Sequence, residues 1–298
     1  RKDSVKWKTR VNVAPFMFLA PYLIGLLLFW VYPVLHAFYL SLFKVQGLWE
    51  APTFVGIRNY IDLVSDERFQ AALVNTSTYA AASVFLILVS ALLLALLIYQ
   101  PRVRYKHLFR TTYFLPMLTS GVVIAIMFGL IFDHEYGALN NYLLVPLGFE
   151  KVRWLQDPRF VMPAIIIVGL WKYTGINTLY FLVGLQNIPS DIREAAIIDG
   201  TSPVQRFFYV ILPMLKPILT FVVVLAIVGS FQLFAEPYLL ASGGGPSDSG
   251  LFLTVYLYIT AFQNVEFGYA STIGYTMVFI IFALSLLQMK LMGTFREE

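Results

Sequence analysis

Six apolar stretches, each long enough to cross a lipid bilayer as a helix, limit the folds open to this chain more than any other feature of its sequence. They lie near residues 13–43, 71–99, 108–132, 161–185, 216–240 and 271–292, and about 20 apolar residues suffice for one crossing. Inside hydrocarbon an isolated segment can satisfy its own backbone N–H and C=O groups only as a helix. The fold class expected is therefore an all-α membrane protein with six transmembrane helices. Composition agrees: 59% of residues are hydrophobic and 13% charged, with a mean hydropathy of +0.74, which excludes an ordinary water-soluble domain. A further apolar run, 251–262, has about half the length a crossing needs and is expected to form an interfacial or re-entrant helix on the outer side. The chain thus reads as a tail over 1–12, one membrane domain over 13–292 with a polar loop at 188–217, and a second tail over 293–298.

Lysine and arginine collect on the cytoplasmic side of inserted helices, which orients these spans. Arg1, Lys2, Lys6, Lys8, Arg10, then Arg102, Arg104, Lys106, Arg110, then Arg193, Arg206, Lys216, and finally Lys290 and Arg296 hold 14 of the 21 basic residues. Six spans put those four segments on one side, so both tails and loop 188–217 are expected in the cytoplasm. The opposite loops mix Lys44, Arg58, Arg68, Lys151, Arg153 and Arg159 with acids, and 241–270 has no basic residue. A net charge of +4 follows from basic flanks against anionic lipid headgroups and asks for no nucleic acid. The first span follows a basic tail as in a secretory signal, but its length, its Pro15, Pro21 and Pro33, and the lack of a small-residue cleavage site favour a retained helix. No cysteine is present, which excludes disulfides, thiol catalysis and thiolate metal ligation.

Loop 188–217 reads as a capped helical hairpin. Pro189 and Ser190 open a helix, Asp191 and Glu194 sit in its first turn where the dipole favours negative charge, and Ala195 and Ala196 continue it. Gly200 supplies the left-handed conformation that ends a helix. Ser202 with Gln205 makes a capping box for a second helix, with Pro203 at its first position. That helix carries Phe207, Phe208, Val210 and Leu212 and meets the membrane near Pro213 and Pro217. Such a helix pair between two spans either lies on the bilayer as an amphipathic connector or docks a partner.

Candidates for catalytic chemistry are few. His36, His107 and His134 are far apart, and the last two fall on opposite sides of the membrane, so no metal site is expected. Glycines 243–245 precede Pro246 without a following Lys-Ser/Thr and read as a turn rather than a phosphate loop. Residue sets for proteolysis, acyl transfer or phosphoryl transfer are missing, so the chain reads as a non-enzyme without a cofactor of its own. Lys172, about eleven residues into the fourth span, is placed near mid-bilayer by a rise of ~1.5 Å per residue, and Glu236 near the outer interface. Counted so, the two do not pair: Glu236 is expected in interfacial solvent, and Lys172 either snorkels to a structural contact or faces a water-filled path. Around it Trp171, Tyr173, Asn177 and Tyr180, and in the fifth span Ser230, Phe231, Gln232 and Phe234, combine ring faces with hydrogen-bonding tips. Such surfaces suit sugars and serve helix packing equally well.

The hairpin resembles the EAA loop of permease subunits of binding-protein-dependent ABC importers, whose pattern is Glu-Ala-Ala, three residues, Gly, nine residues, then Ile-x-Leu-Pro. Here those positions are Glu194-Ala195-Ala196, Gly200 and Val210-Ile211-Leu212-Pro213, with Val210 in place of Ile. The segments APYLIGLLLFWVYPVLHAFYLSLF, FVGIRNY, FAEPYLL, GGGP and AFQNVEFGYAS are similar to the carbohydrate branch of that family, in its F-type maltose and glycerol-phosphate subunits. The likeness covers nearly the whole chain. It implies the type I ABC importer permease architecture, a prokaryotic cytoplasmic (inner) membrane and a carbohydrate cargo. It implies as partners a second, G-type permease subunit, two cytoplasmic ATPase subunits that bind ATP and Mg, and an extracytoplasmic solute-binding protein. It further implies that Glu194, Ala195, Ala196, Asp199, Gly200, Arg206 and Pro213 couple to the ATPase, and that Lys172, Tyr173, Ile176, Asn177, Ser230, Phe231 and Phe234 belong to the substrate path. The alternatives are an ABC permease for an amino acid, peptide or phosphate ester, and a secondary carrier, whose paired inverted halves the sequence does not display.

Overall fold

The computed structural model describes residues 14–47, 51–100 and 106–293; most of both tails, and the turn that holds Arg102 and Arg104, lie outside the described residues. The first span is α1 (Met17–Ser41), whose most apolar window has no buried position. A small antiparallel ribbon pairs β1 (Phe43–Lys44) with β2 (Thr53–Phe54), and a short helix, α2 (Arg58–Val64), leads into α3 (Glu67–Tyr99). At 33 residues, α3 is about 50 Å long at ~1.5 Å per residue. Asp66 starts it by accepting the N–H groups of Arg68 and Phe69, two donors that a first turn leaves without partners. The hydroxyls of Tyr256 and Tyr269 donate to the same carboxylate. Burial raises the pKa of Asp66, but these hydrogen bonds outweigh it and hold the carboxyl below its ordinary value.

The third expected span is broken. α4 (Lys106–Leu118) and α5 (Gly121–Ile131) meet at 103°. Pro116 sits in the last turn of α4, and the Ser120 hydroxyl accepts the Val122 N–H and starts a fresh helix. Five helices among the described residues are long and apolar enough to cross singly, and six crossings result when the bent pair counts as one. The loop that follows is organised by buried Asn140, which donates to the carbonyls of His134 and Val152 and accepts from the Val152 N–H and the Trp154 indole. Next comes α6 (Pro158–Gln186), with Asp157 as its N-cap and Pro158 at its first position.

The hairpin consists of α7 (Ser190–Ile198) and α8 (203–214). The fifth expected span is also interrupted: α9 (Lys216–Phe231) stops, Phe234 leaves helical conformation at φ −126° and ψ −56°, and α10 (Ala235–Leu240) restarts. The short apolar run forms α11 (Leu253–Gln263), and the last span is α12 (Phe267–Leu291). Rather than lying on the surface as an interfacial helix, α11 enters the interior between α3 and α12, and Leu251, Phe252, Leu253 and Val255 have no exposure. Backbone groups can be buried there because polar side chains of α3 satisfy them. Asn75 donates to the carbonyls of Asp248 and Leu251, and the Thr76 hydroxyl accepts the Leu253 N–H.

α3 and α6 form the most extensive helix pair, flanked by α4 and α9. The interior divides into two apolar clusters, one built around Tyr79, Phe132, Val168 and Phe252, the other around Ala91, Phe181, Leu185 and Leu215.

Candidate functional site

Two sites emerge, and α6 connects them. The first is the hairpin. Gly200 joins α7 to α8 with φ +73°, a conformation that costs a side-chain-bearing residue about 1–2 kcal/mol. Its N–H donates to the Ile197 carbonyl at 3.0 Å, and the Thr201 N–H to the Ala196 carbonyl at 3.2 Å, the pair of bonds that closes a Schellman stop. The capping box is formed: the Ser202 N–H donates to Gln205 Oε1 at 2.9 Å and the Gln205 N–H to Ser202 Oγ at 3.2 Å. A π-helical turn, Phe207–Ile211, precedes Pro213, consistent with a proline that cannot donate and crowds the carbonyl four residues back.

Glu194, Ala195, Asp199, Gly200 and Pro213 are exposed on this hairpin, and Ala196 is buried. Arg206 is half-buried and donates to the Thr201 carbonyl at 3.2 Å, so it braces the turn from within. Two features escaped the sequence reading. Ile198 and Tyr209 are 84% and 79% exposed, which sets apolar side chains beside the charged ones. Arg193 donates to the Tyr99 hydroxyl with its guanidinium carbon 5.2 Å from the ring centre, and so ties α7 to the far end of α3.

The second site is a cavity of about 220 Å³ between α3, α4, α6 and α9. Of the seven expected path residues, Tyr173, Ile176, Asn177 and Ser230 line it, joined by Tyr79 and Ile87 of α3, Met117 of α4 and Tyr180 of α6. No lining side chain is charged. Three tyrosine rings, one amide and one hydroxyl therefore converge on an otherwise aliphatic space. Asn177 Nδ2 donates to the Tyr173 carbonyl at 2.8 Å, and Tyr180 meets Phe221 edge-on, contacts that hold the wall in place. Tyr79 went unread because a lone tyrosine in an apolar helix has no pattern; its polar tip in such a helix was the one available signal.

The other three expected path residues lie elsewhere. Phe231 is 2% exposed in the larger apolar cluster, and Phe234 stacks on Tyr238 at 5.2 Å. Lys172 is behind the wall, and here the expectation of two separate charges is overturned: Lys172 Nζ donates to Glu236 Oε1 at 2.5 Å. Glu236, expected in interfacial solvent, is 4% exposed. Counting residues along the fifth span assumed one straight helix. The break between α9 and α10, held by the Thr254 hydroxyl donating to the Leu233 carbonyl at 2.5 Å, redirects the chain so that α10 packs on α5 and α6. Among the described residues no three His, Cys, Asp or Glu side chains come together as a metal site would require.

The model of the family described as "Binding-protein-dependent transport system inner membrane component" matches residues 87–293. The chain is 36% identical over 287 residues to an arabinooligosaccharides transport system permease protein of Bacillus subtilis (strain 168), covering 96% of this chain and 91% of that one. It is 37% identical to a lactose transport system permease protein of Rhizobium radiobacter, covering 94% of each. It is 31% identical to a trehalose/maltose transport system permease protein of Thermococcus litoralis, covering 98% of each. Among solved structures, a chain of a bacterial ABC transporter involved in the import of the acidic polysaccharide alginate superimposes with a TM-score of 0.81 at 21% identity, over 95% of this chain and 96% of that one, which establishes the fold. With a family match over most of its length and relatives above 30% identity end to end, this chain belongs to the inner membrane components of binding-protein-dependent transport systems.

Proposed function

We propose that this chain is the F-type permease subunit of an ATP-driven importer and that, with a second permease subunit, it forms the path for a carbohydrate delivered by an extracytoplasmic binding protein. The observation that carries this reading is the continuity of α6, which walls the cavity with Tyr173, Asn177 and Tyr180 and ends at Gln186, just before the hairpin begins at Ser190. Tyr180 and Gln186 are six residues apart, about 9 Å at ~1.5 Å per helical residue, and only three residues join Gln186 to the hairpin, so a push on the hairpin reaches the cavity through a short connection and one stiff helix. Tyrosine rings can stack on the C–H faces of a sugar while Asn177 and Ser230 take its hydroxyls. The cargoes named for the relatives, arabino-oligosaccharides, lactose and trehalose or maltose, favour a carbohydrate here as well.

In this reading the hairpin faces the cytoplasm and docks an ATPase subunit. Glu194 and Asp199 supply charge, Ala195 permits close approach, Gly200 sets the turn, and exposed Ile198 and Tyr209 supply apolar contact. ATP and Mg are held by the ATPase subunits, and this chain contributes no catalytic residue. When the ATPase dimer closes, the capped hairpin moves as a body, and α6 together with α3, which Arg193 and Tyr99 connect to it, switches the cavity from one side to the other. The test is uptake into proteoliposomes that hold this chain with its co-purified subunits. Labelled arabino-oligosaccharide, lactose or maltose should accumulate only with internal ATP and a cognate binding protein. Uptake driven by an ion gradient without ATP, or stimulated only by an amino-acid or peptide binding protein, would overturn the reading.

A further inference from the structure

We propose that Glu236 sets the charge class of sugar this path accepts: by cancelling the charge of Lys172 it keeps the cavity wall neutral, and the path takes uncharged glycans in preference to those bearing carboxylates. The proposal rests on the reading of the cavity as a sugar path.

The Lys172 and Glu236 side chains are 11% and 5% exposed, with nitrogen and oxygen 2.5 Å apart. Glu236 has a second source of positive potential. Its Oε1 lies 3.0 Å from where a Cβ on Gly121 would be, so the carboxylate rests on the first turn of α5, an 11-residue helix whose N-terminus favours an anion. A side chain at that position would press on the carboxylate and on the Ala235 methyl, 3.1 Å away. The Lys172 ammonium in turn lies 5.1 Å from the centre of the Tyr173 ring, and that ring is part of the cavity wall. The ammonium is thus one ring away from whatever occupies the cavity, and Glu236 neutralises it from the far side.

An uncharged lining has a direct consequence for selectivity. A sugar carboxylate brought into it loses water and finds no counter-ion, whereas neutral hydroxyls find Asn177, Ser230 and the tyrosine tips. Glu236 touches no substrate in this account. It acts through Lys172, and removing its charge leaves the ammonium uncompensated beside the path, where an acidic sugar becomes the available counter-ion.

The experiment uses the purified assembly of this chain with its partner permease and ATPase subunits, without binding protein, so that only the selectivity of the path is read. Equilibrium dialysis measures binding of lactose, maltose and arabinotriose against digalacturonate. The wild-type assembly should bind at least one neutral sugar and bind digalacturonate more weakly. Glu236→Gln should shift the ratio of acidic to neutral affinity about ten-fold toward the acid, the size expected of one charge-assisted contact. The double variant Lys172→Met/Glu236→Gln should lose that gain, since the cation is gone. An unchanged ratio in Glu236→Gln, or a gain that survives in the double variant, overturns the proposal. Wild-type binding of none of the neutral sugars would overturn the sugar-path reading itself and this proposal with it. Should Glu236→Gln fail to assemble, Glu236→Asp, which draws the carboxylate back by one methylene, should shift the ratio in the same direction by less, and no shift overturns the proposal.

Discussion

A single ion inside a bilayer is expensive, and Lys172 shows how one residue is made tolerable. A lone lysine at a helix centre costs about 2.5–3.5 kcal/mol on insertion scales; here the ammonium has a carboxylate at 2.5 Å and a tyrosine face at 5.1 Å. Because Glu236 is even more buried than its partner, Lys172→Met should destabilise the chain by about 3–5 kcal/mol through the uncompensated carboxylate, and Lys172→Met/Glu236→Gln should recover most of that loss. Thermal unfolding of the three purified proteins checks the order. Asp157 offers a prediction outside the membrane. The Arg159 side chain and the Arg159 N–H hydrogen-bond its carboxylate and hold its pKa down to about 2, from an ordinary 3.8. A carboxylate with a lowered folded-state pKa stabilises above its unfolded-state value and loses that contribution as pH falls through the folded-state value. The difference in melting temperature between wild type and Asp157→Asn should therefore shrink between about pH 4 and pH 2, and a difference that stays constant over that interval would refute this. The partner of Lys172 was not legible from sequence, because 64 residues separate the two and nothing local relates them.

Among the elements, the hairpin is where sequence reading reached furthest. Its caps are made by residues within five positions of each other, Ala196 with Thr201 and Ser202 with Gln205, so their chemistry is visible in the order of residues alone. Gly200→Pro cannot adopt φ +73° and should abolish ATP-coupled uptake while the protein still inserts; Glu194→Lys, on the exposed face, should do the same by preventing docking. Wild-type uptake at normal protein level in both would remove the coupling assignment. Ser202→Ala loses one cap, worth about 1 kcal/mol, and should lower the ratio of sugar imported to ATP hydrolysed without abolishing either. The breaks in the third and fifth spans were read less well. Apolar composition runs straight through both, so hydropathy reports one span where the chain turns by 103° at Ser120 or leaves the helix at Phe234. Pro116 and the N-cap Ser120 were the local signs of the first break, and Pro237, which cannot donate to the Leu233 carbonyl four residues back, was the sign of the second.

The whole molecule poses the question of orientation, and the lack of cysteine makes it directly testable. A cysteine introduced at Ile198, 84% exposed on the hairpin, should react with a membrane-impermeant maleimide only from the cytoplasmic side, and one at exposed Glu150 only from the opposite side. The reverse pattern would invert the topology and place the hairpin out of reach of an ATPase. Native mass spectrometry of the gently extracted protein should find one copy of this chain with one similar permease and two ATPase subunits, and a homodimer competent for ATP-free transport would refute the importer reading. By itself the sequence determined the membrane class, the approximate position of the apolar stretches, and the capped hairpin, since length, hydropathy and capping depend on neighbours along the chain. Only the tertiary structure decided that α11 is buried, that Tyr79 shares a wall with Tyr173, and that Lys172 meets Glu236. Those contacts join residues dozens of positions apart, and helix breaks that hydropathy does not register bring them together.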